Sequence, residues 1–304
     1  MRILLTGATG QVGWELRRTL APLGQITAFG RDALDFRDRM ALRNVVREFA
    51  PNLIVNACAY TAVDNAEADF ETAELVNGIS PGILAEEAKR IGAILVHYST
   101  DYVFDGTKSS AYDETDSPNP MNAYGKTKLM GEQAIQTVGG DYLIFRTSWV
   151  YGSRGKNFLL SMLRLAKTQR ELRIVNDQIG APTWCRMIAE MTALILARNV
   201  VQQGSDRLLE LGKQSGVYHL TAAGSTSWFG FAEAIFSRIS PEMNFERPRL
   251  LPIPASAYPT PASRPSNSVM DNGLLQRTFG LTPVSWEYML TTCMEEITAC
   301  RSRP

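Results

Sequence analysis

Short apolar runs punctuate the first half of the chain at residues 2–6, 25–29, 53–56, 94–98 and 142–146. Between them, apolar positions recur at helical spacing over 11–20, 39–49, a long stretch around 66–90, and 123–137. In the first of these helices Val12, Leu16 and Leu20 share one face, and Pro22 and Gly24 break the chain after it. Alternating strands and helices predict a parallel sheet with helices on both faces. The strands read as unbroken apolar runs, as expected where both faces are covered.

The rhythm changes after about Tyr151. Helices are predicted at 158–167, 188–197 and 228–237, and short strands at 172–175 and 217–220. Residues 248–265 (PRLLPIPASAYPTPASRP) are rich in proline and predict a stiffened loop without regular elements. No internal repeat or low-complexity tract interrupts the chain.

The first strand runs straight into Gly7, Gly10 and Gly13. Gly7 suits a tight turn with positive φ, and Gly10 leaves the backbone open to a pyrophosphate. Gly13 lets the next helix pack on the strand with its N-terminal dipole facing the phosphates. A tight turn without a ligand is the alternative. The fold class that follows is α/β, a Rossmann-type doubly wound parallel sheet. Residues 1–151 form an NAD(P)-binding domain. Residues 152–304 mainly form a smaller α/β substrate domain, discontinuous because the strand at 217–220 is expected to return to the large sheet.

Of 304 residues, 31 are Lys or Arg and 31 Asp or Glu. That balance gives no reason to expect nucleic acid or a charged membrane surface as partner. Cys58, Cys185, Cys293 and Cys300 form no C-x-x-C pair and read as reduced thiols. The first apolar run is too short for a signal peptide, and no segment approaches the roughly 20 apolar residues of a membrane span. The expectation is a soluble, cytoplasmic protein.

Two further motifs carry chemistry. Tyr124 and Lys128, in Y-G-K-T-K, fall one turn apart on one helix face. A tyrosine titrates near about 10, and proton transfer at neutral pH asks for a fall of about three units, or ~4 kcal/mol. An adjacent ammonium and a cationic nicotinamide can supply it by stabilising the phenolate. In HYSTDYVF, Thr100 stands where the fourth strand ends, the edge at which open α/β sheets bind ligands. Its hydroxyl can hold a carbonyl oxygen beside Tyr124. His97 and His219 lie within apolar strands and read as core histidines.

The segments GATGQVGWEL, VNACAYTAVDNAE, HYSTDYVFDG, NAYGKTKLMGE, FRTSWVYG, VNDQIGAPT and YPTPASRP resemble those of the bacterial dTDP-4-dehydrorhamnose reductases. These are extended short-chain dehydrogenase/reductases, and the resemblance runs through nearly the whole chain in order. It implies reduction of the C4 ketone of dTDP-4-dehydro-L-rhamnose to dTDP-L-rhamnose for polysaccharide biosynthesis. Tyr124 would protonate the C4 oxygen, Lys128 lower its pKa and bond the nicotinamide ribose, Thr100 orient the carbonyl and Asp101 tune the site. Gly7, Gly10, Gln11 and Val12 would hold the pyrophosphate, and Asp35 and Phe36 approach the adenine. Ala59, Tyr60, Thr61 and Tyr98 would line the cofactor. Trp149 would contact the sugar, and Arg264 is the candidate for a nucleotide phosphate, a role that a planar guanidinium suits. Trp149 and Phe36 also fit core aromatics, Asp35 a turn or cap residue, and Arg264 an exposed loop charge.

Cofactor choice rests on Gly30, Arg31 and Asp32 after the second strand. An arginine there meets the 2′-phosphate of NADPH and an acid the ribose hydroxyls of NADH. Arg31 favours NADPH, with NADH as second choice and a plain surface charge as the alternative. Some relatives dimerise through a Mg²⁺ held on carboxylates. Glu15 and Glu296 stand at two matching places, but the third is Arg186, so Mg²⁺ is not predicted, and a homodimer stays open. Two other readings remain. One is a 4-ketoreductase for another dTDP-6-deoxysugar. The other is a non-catalytic binding protein like the regulatory subunit of methionine adenosyltransferase.

Overall fold

The computed structural model describes residues 1–203, 206–239 and 247–301. In the first half, β1 (Arg2–Thr6), α1 (Gln11–Thr19), β2 (Gln25–Phe29), α2 (Arg39–Phe49) and β3 (Leu53–Asn56) alternate as predicted. The long helical stretch around 66–90 is broken into α3 (Val63–Ala66), α4 (Phe70–Glu74), a π-helical turn at Leu75–Ile79, and α5 (Ser80–Ile91). Then come β4 (Ile94–Thr100), α6 (Ala123–Val138) and β5 (Tyr142–Thr147).

The second half holds β6 (Val150–Tyr151), α7 (Phe158–Leu165), β7 (Glu171–Val175), β8 (Ile179–Gly180), β9 (Thr183–Trp184) and α8 (Cys185–Arg198). There follow β10 (Val200–Gln203), β11 (Asp206–Leu209), β12 (Gly216–His219), β13 (Thr226–Ser227) and α9 (Trp228–Ser237). The last elements are β14 (Arg249–Ile253), α10 (Gly273–Phe279) and α11 (Trp286–Arg301).

A six-stranded parallel sheet runs β12-β5-β4-β3-β1-β2. Its order reverses between β1 and β3, so a crevice opens beyond their carboxyl ends, where the glycine turn lies. Side chains alternate between two cores. Leu5, Val55, Val96 and Phe145 face α1 and α8 with Leu16, Leu20, Ile188 and Ile195. Leu4, Ile54, Leu95 and Ile144 face α2, α5 and α6 with Leu42, Val46, Leu84 and Ile135. Each fully buried aliphatic side chain of this kind contributes about 1.5–3 kcal/mol. A third core gathers Tyr151, Leu159, Trp184, Phe231, Trp286 and Leu290 from the second half.

One expectation is corrected. The proline-rich segment contains a regular strand: β14 pairs in parallel with β7, Leu250 opposite Leu172 and Pro252 opposite Ile174. The two form a sheet of their own. A strand with a free edge tolerates proline there, because the missing N–H can face away from its partner. Cys58, Cys185 and Cys293 are free thiols, and the side chain of Cys300 lies outside the described residues. Among the described residues, no helix is long and apolar enough to cross a membrane.

Candidate active site

The glycine turn is set by two close approaches. Gly7 has φ +69°, and a Cβ there would lie 2.4 Å from the Ala57 carbonyl carbon. A Cβ on Gly13 would lie 2.1 Å from the Gly7 oxygen. Gly10 begins α1 without a side-chain cap, which leaves the first N–H groups of the helix open to an anion. This cradle fits a pyrophosphate. Gln11 Oε1 accepts from Asn157 Nδ2 at 2.8 Å, tying the turn to the start of α7, while Val12 packs against the cores on both sides.

Beyond β2, a Cβ at Gly30 would lie 2.7 Å from Thr9 Cγ2, and Arg31 is exposed. Asp35 accepts from Arg37 Nη2 at 2.8 Å and from its Nε at 3.1 Å. These bonds hold its carboxyl below the ordinary range. The Phe36 ring is buried with Leu34, Leu42 and Leu84, and its carbonyl oxygen accepts from Ser80 Oγ. After β3, Ala59 and Tyr60 are partly buried and Thr61 is exposed. Asn77, buried in the π turn, fixes this segment. Its Oδ1 accepts from Tyr60 N at 2.8 Å, and its Nδ2 donates to Tyr60 O at 3.1 Å and Thr127 Oγ1 at 3.2 Å. Nothing in the sequence singles out Asn77; the structure places it in a π-helical interruption, a common setting for functional turns.

The chemistry gathers where β4 ends and α6 begins. Thr100 Oγ1 donates to Asp101 Oδ1 at 3.1 Å and accepts from Tyr102 N at 3.2 Å, and it stands beside the Tyr124 hydroxyl. Burial pushes Tyr124 up to about 12, the nearby Thr100 hydroxyl pulling the other way. Burial also raises Asp101, to about 6, against the Ser268 and Thr100 hydroxyls. Asn122 caps α6, accepting from Gly125 N at 2.8 Å, and donates to Ser263 O at 2.7 Å. An asparagine two residues before Tyr124 is a readable helix-start signal. The cap fastens the proline-rich loop to the turn that carries the tyrosine.

Lys128 is buried on the same helix, but its amine points at the sheet. Nζ lies 3.1 Å from His97 Nε2 and donates to Tyr98 O at 2.6 Å. Tyr98 thus meets Lys128 through its backbone. Its ring faces the other core, with its hydroxyl 2.8 Å from Thr192 Oγ1. The Tyr102 ring meets Tyr124 edge-on at 5.7 Å. Arg264 is held beside Tyr102 by Asp64, Nη2 to Oδ2 at 2.8 Å, so it is a paired and partly buried cation rather than a loose loop charge.

Trp149 has φ 45°, unusual for a bulky residue. It stacks on Trp228 with ring centroids 3.5 Å apart and planes at 3°, and a Cβ on Gly180 would lie 2.5 Å from its ring. Trp228 opens α9, and the apolar helix pattern gave no hint of this partner. Arg186 bridges two carboxylates, Nε to Glu15 Oε2 at 3.1 Å and Nη2 to Glu296 Oε1 at 2.7 Å.

The family described as RmlD substrate binding domain matches residues 1–299. A dTDP-4-dehydrorhamnose reductase of Burkholderia thailandensis is 51% identical over 98% of this chain and 99% of its own length. One of Salmonella typhimurium is 43% identical over 98% of both chains. A solved dTDP-4-dehydrorhamnose reductase from Bacillus anthracis, in complex with NADP, superposes with a TM-score of 0.87 at 35% identity, covering 97% of this chain and 99% of that one. With its glycine cradle, parallel sheet and end-to-end match, the chain belongs to the RmlD substrate binding domain family of dTDP-4-dehydrorhamnose reductases, NAD(P)H-dependent oxidoreductases.

Proposed function

We propose that this chain reduces the C4 ketone of dTDP-4-dehydro-β-L-rhamnose to dTDP-L-rhamnose with NADPH, NADH serving as second choice. The observation that carries this reading is the placing of the Tyr124 hydroxyl beside Thr100, itself hydrogen-bonded to Asp101, at the carboxyl end of β4. NADPH, when bound, supplies a hydride to C4. Tyr124 gives its hydroxyl proton to the C4 oxygen, Thr100 orients that oxygen and Asp101 orients Thr100. Lys128, as an ammonium, lowers Tyr124 and bonds the nicotinamide ribose.

Gly7, Gly10, Gln11 and Val12 hold the pyrophosphate. Arg31, beside Gly30, meets the 2′-phosphate. Asp35 and the Phe36 backbone border the adenine, while Ala59, Tyr60, Thr61 and the Tyr98 backbone line the nicotinamide side. Trp149 contacts the sugar and Arg264 a nucleotide phosphate. Residues 1–151 with β12 then serve the cofactor, and most of 152–304 the sugar nucleotide. The Arg186 guanidinium between Glu15 and Glu296 supports a reading without Mg²⁺, since a second cation there would be repelled. The setting is the cytoplasm, and the same reading extends to a homodimer.

The test follows NADPH absorbance with dTDP-4-dehydro-L-rhamnose, made by the upstream epimerase, and identifies the product by NMR. NADPH oxidation with dTDP-L-rhamnose formed is expected. A different epimer would move the chain to another dTDP-6-deoxysugar, and tight NADPH binding without turnover would favour a binding subunit. Arg31→Ala is expected to weaken NADPH roughly tenfold or more, one lost charge-assisted contact, and to leave NADH nearly unchanged. Equal losses in titrations with the two nucleotides would remove Arg31 from the 2′-phosphate.

A further inference from the structure

Three neighbouring strands of the large sheet place polar residues side by side on the face toward α6. Thr6 of β1 pairs in register with Asn56 of β3, and Asn56 with His97 of β4. All three are fully buried. Thr6 Oγ1 donates to Asn56 Oδ1 at 2.8 Å, and Cys58 N donates to the same oxygen at 3.1 Å. With its oxygen so engaged, Asn56 presents its amide nitrogen to His97 Nδ1 at 3.1 Å. An amide nitrogen only donates, so Nδ1 accepts and the ring proton sits on Nε2.

Nε2 is the atom 3.1 Å from Lys128 Nζ. An ammonium carries three donors and no acceptor, so it would set donor against donor. A neutral amine accepts from Nε2–H and still donates to Tyr98 O at 2.6 Å. An imidazolium at residue 97 would set its Nδ1–H against the Asn56 amide nitrogen. We propose that His97 is a positioning residue that holds Lys128 at rest as a neutral amine against the sheet, so that the lysine must take a proton from solvent and leave this seat before it can act on Tyr124. This rests on the roles given above to Tyr124 and Lys128.

The other groups around the amine agree with a lysine that changes state near the working range. Burial lowers it to about 8. Glu132, one turn along α6, favours the ammonium, but its charge is shared with Arg146. Cys58, beyond β3, also favours it, but burial pushes that thiol up to about 11. Burial and the lysine keep His97 well below its ordinary value, so it stays neutral. A hydrogen bond given to the neutral form shifts Lys128 downward. Activity that needs the ammonium is then full below this value and falls as pH rises through it.

The test is NMR of the full chain with ¹⁵N-labelled histidine and lysine labelled at Cε, the Lys128 signal being assigned by its loss in Lys128→Arg. His97 is expected to carry its proton on Nε2, and Lys128 to titrate near 8. In His97→Gln the amide oxygen can accept from an ammonium, and Lys128 is expected to titrate about one unit or more higher, a tenfold larger ammonium fraction at alkaline pH. The alkaline limb of kcat/KM should move with it. A wild-type His97 protonated on Nδ1, a Lys128 that titrates with the other lysines, or no shift in His97→Gln would overturn the proposal. If the variant does not fold, the wild-type spectra decide. Since they need no turnover, a protein that shows them yet lacks reductase activity would refute the catalytic reading and leave this one standing.

Discussion

Replacing Tyr124 by Phe is expected to lower kcat by about 10²-fold or more, the usual scale for a lost general acid, while NADPH affinity stays close to that of the parent. The ring keeps its edge-on contact with Tyr102 and its place in the small apolar cluster with Ala66, Ala73 and Ala123. Only the hydroxyl beside Thr100 is lost. Steady-state kinetics with a separate cofactor titration separates the two quantities. Near-normal turnover would end the assignment of Tyr124 as proton donor, and a parallel loss of cofactor affinity would make it a binding residue instead.

The largest stability effect is expected at Glu132. Its carboxylate meets Arg146 through Nη2–Oε2 at 2.7 Å and Nε–Oε1 at 3.0 Å, with side chains 1% and 5% exposed. Glu132→Ala leaves a buried guanidinium unpaired, at a cost of ~3–5 kcal/mol. Replacing both partners with apolar residues of similar volume, Glu132→Leu with Arg146→Met, should recover most of that loss, because the charge is removed together with its partner. Urea denaturation of the two variants checks this. A loss below about 1 kcal/mol for Glu132→Ala would mean that water reaches Arg146.

The parallel sheet was legible because buried strands and amphipathic helices write different periods, and the runs ending at Thr6, Asn56 and Arg146 fall within β1, β3 and β5. The break in the long helix was not: Asn77 and Gly78 are weak helix formers, but the π turn itself answers to close packing against α6. There a Cβ on Gly131 would lie 2.1 Å from Asn77 O. Strand β14 was hidden by prolines that look disqualifying until its free edge is known. At the site, the glycines, Thr100, Tyr124 and Lys128 announce themselves by spacing. Asn77, Trp228 and Asp64 do not, because their work is to hold other residues, and such partners become visible only when distant segments meet. His97 was visible as a residue but not as a neighbour of Lys128, for it takes strand register to line it up with Thr6 and Asn56.

Strand β12 is the outermost member of the large sheet beside β5, yet it is made only after α7, α8 and the short strands between them. During synthesis, the outer edge of β5 therefore stays bare while the chain from β6 to β11 emerges from the ribosome. A bare apolar edge is a template for the wrong partner, another copy of the same nascent chain above all. A cut near Tyr151 would leave a fragment whose sheet lacks its outer strand beside β5.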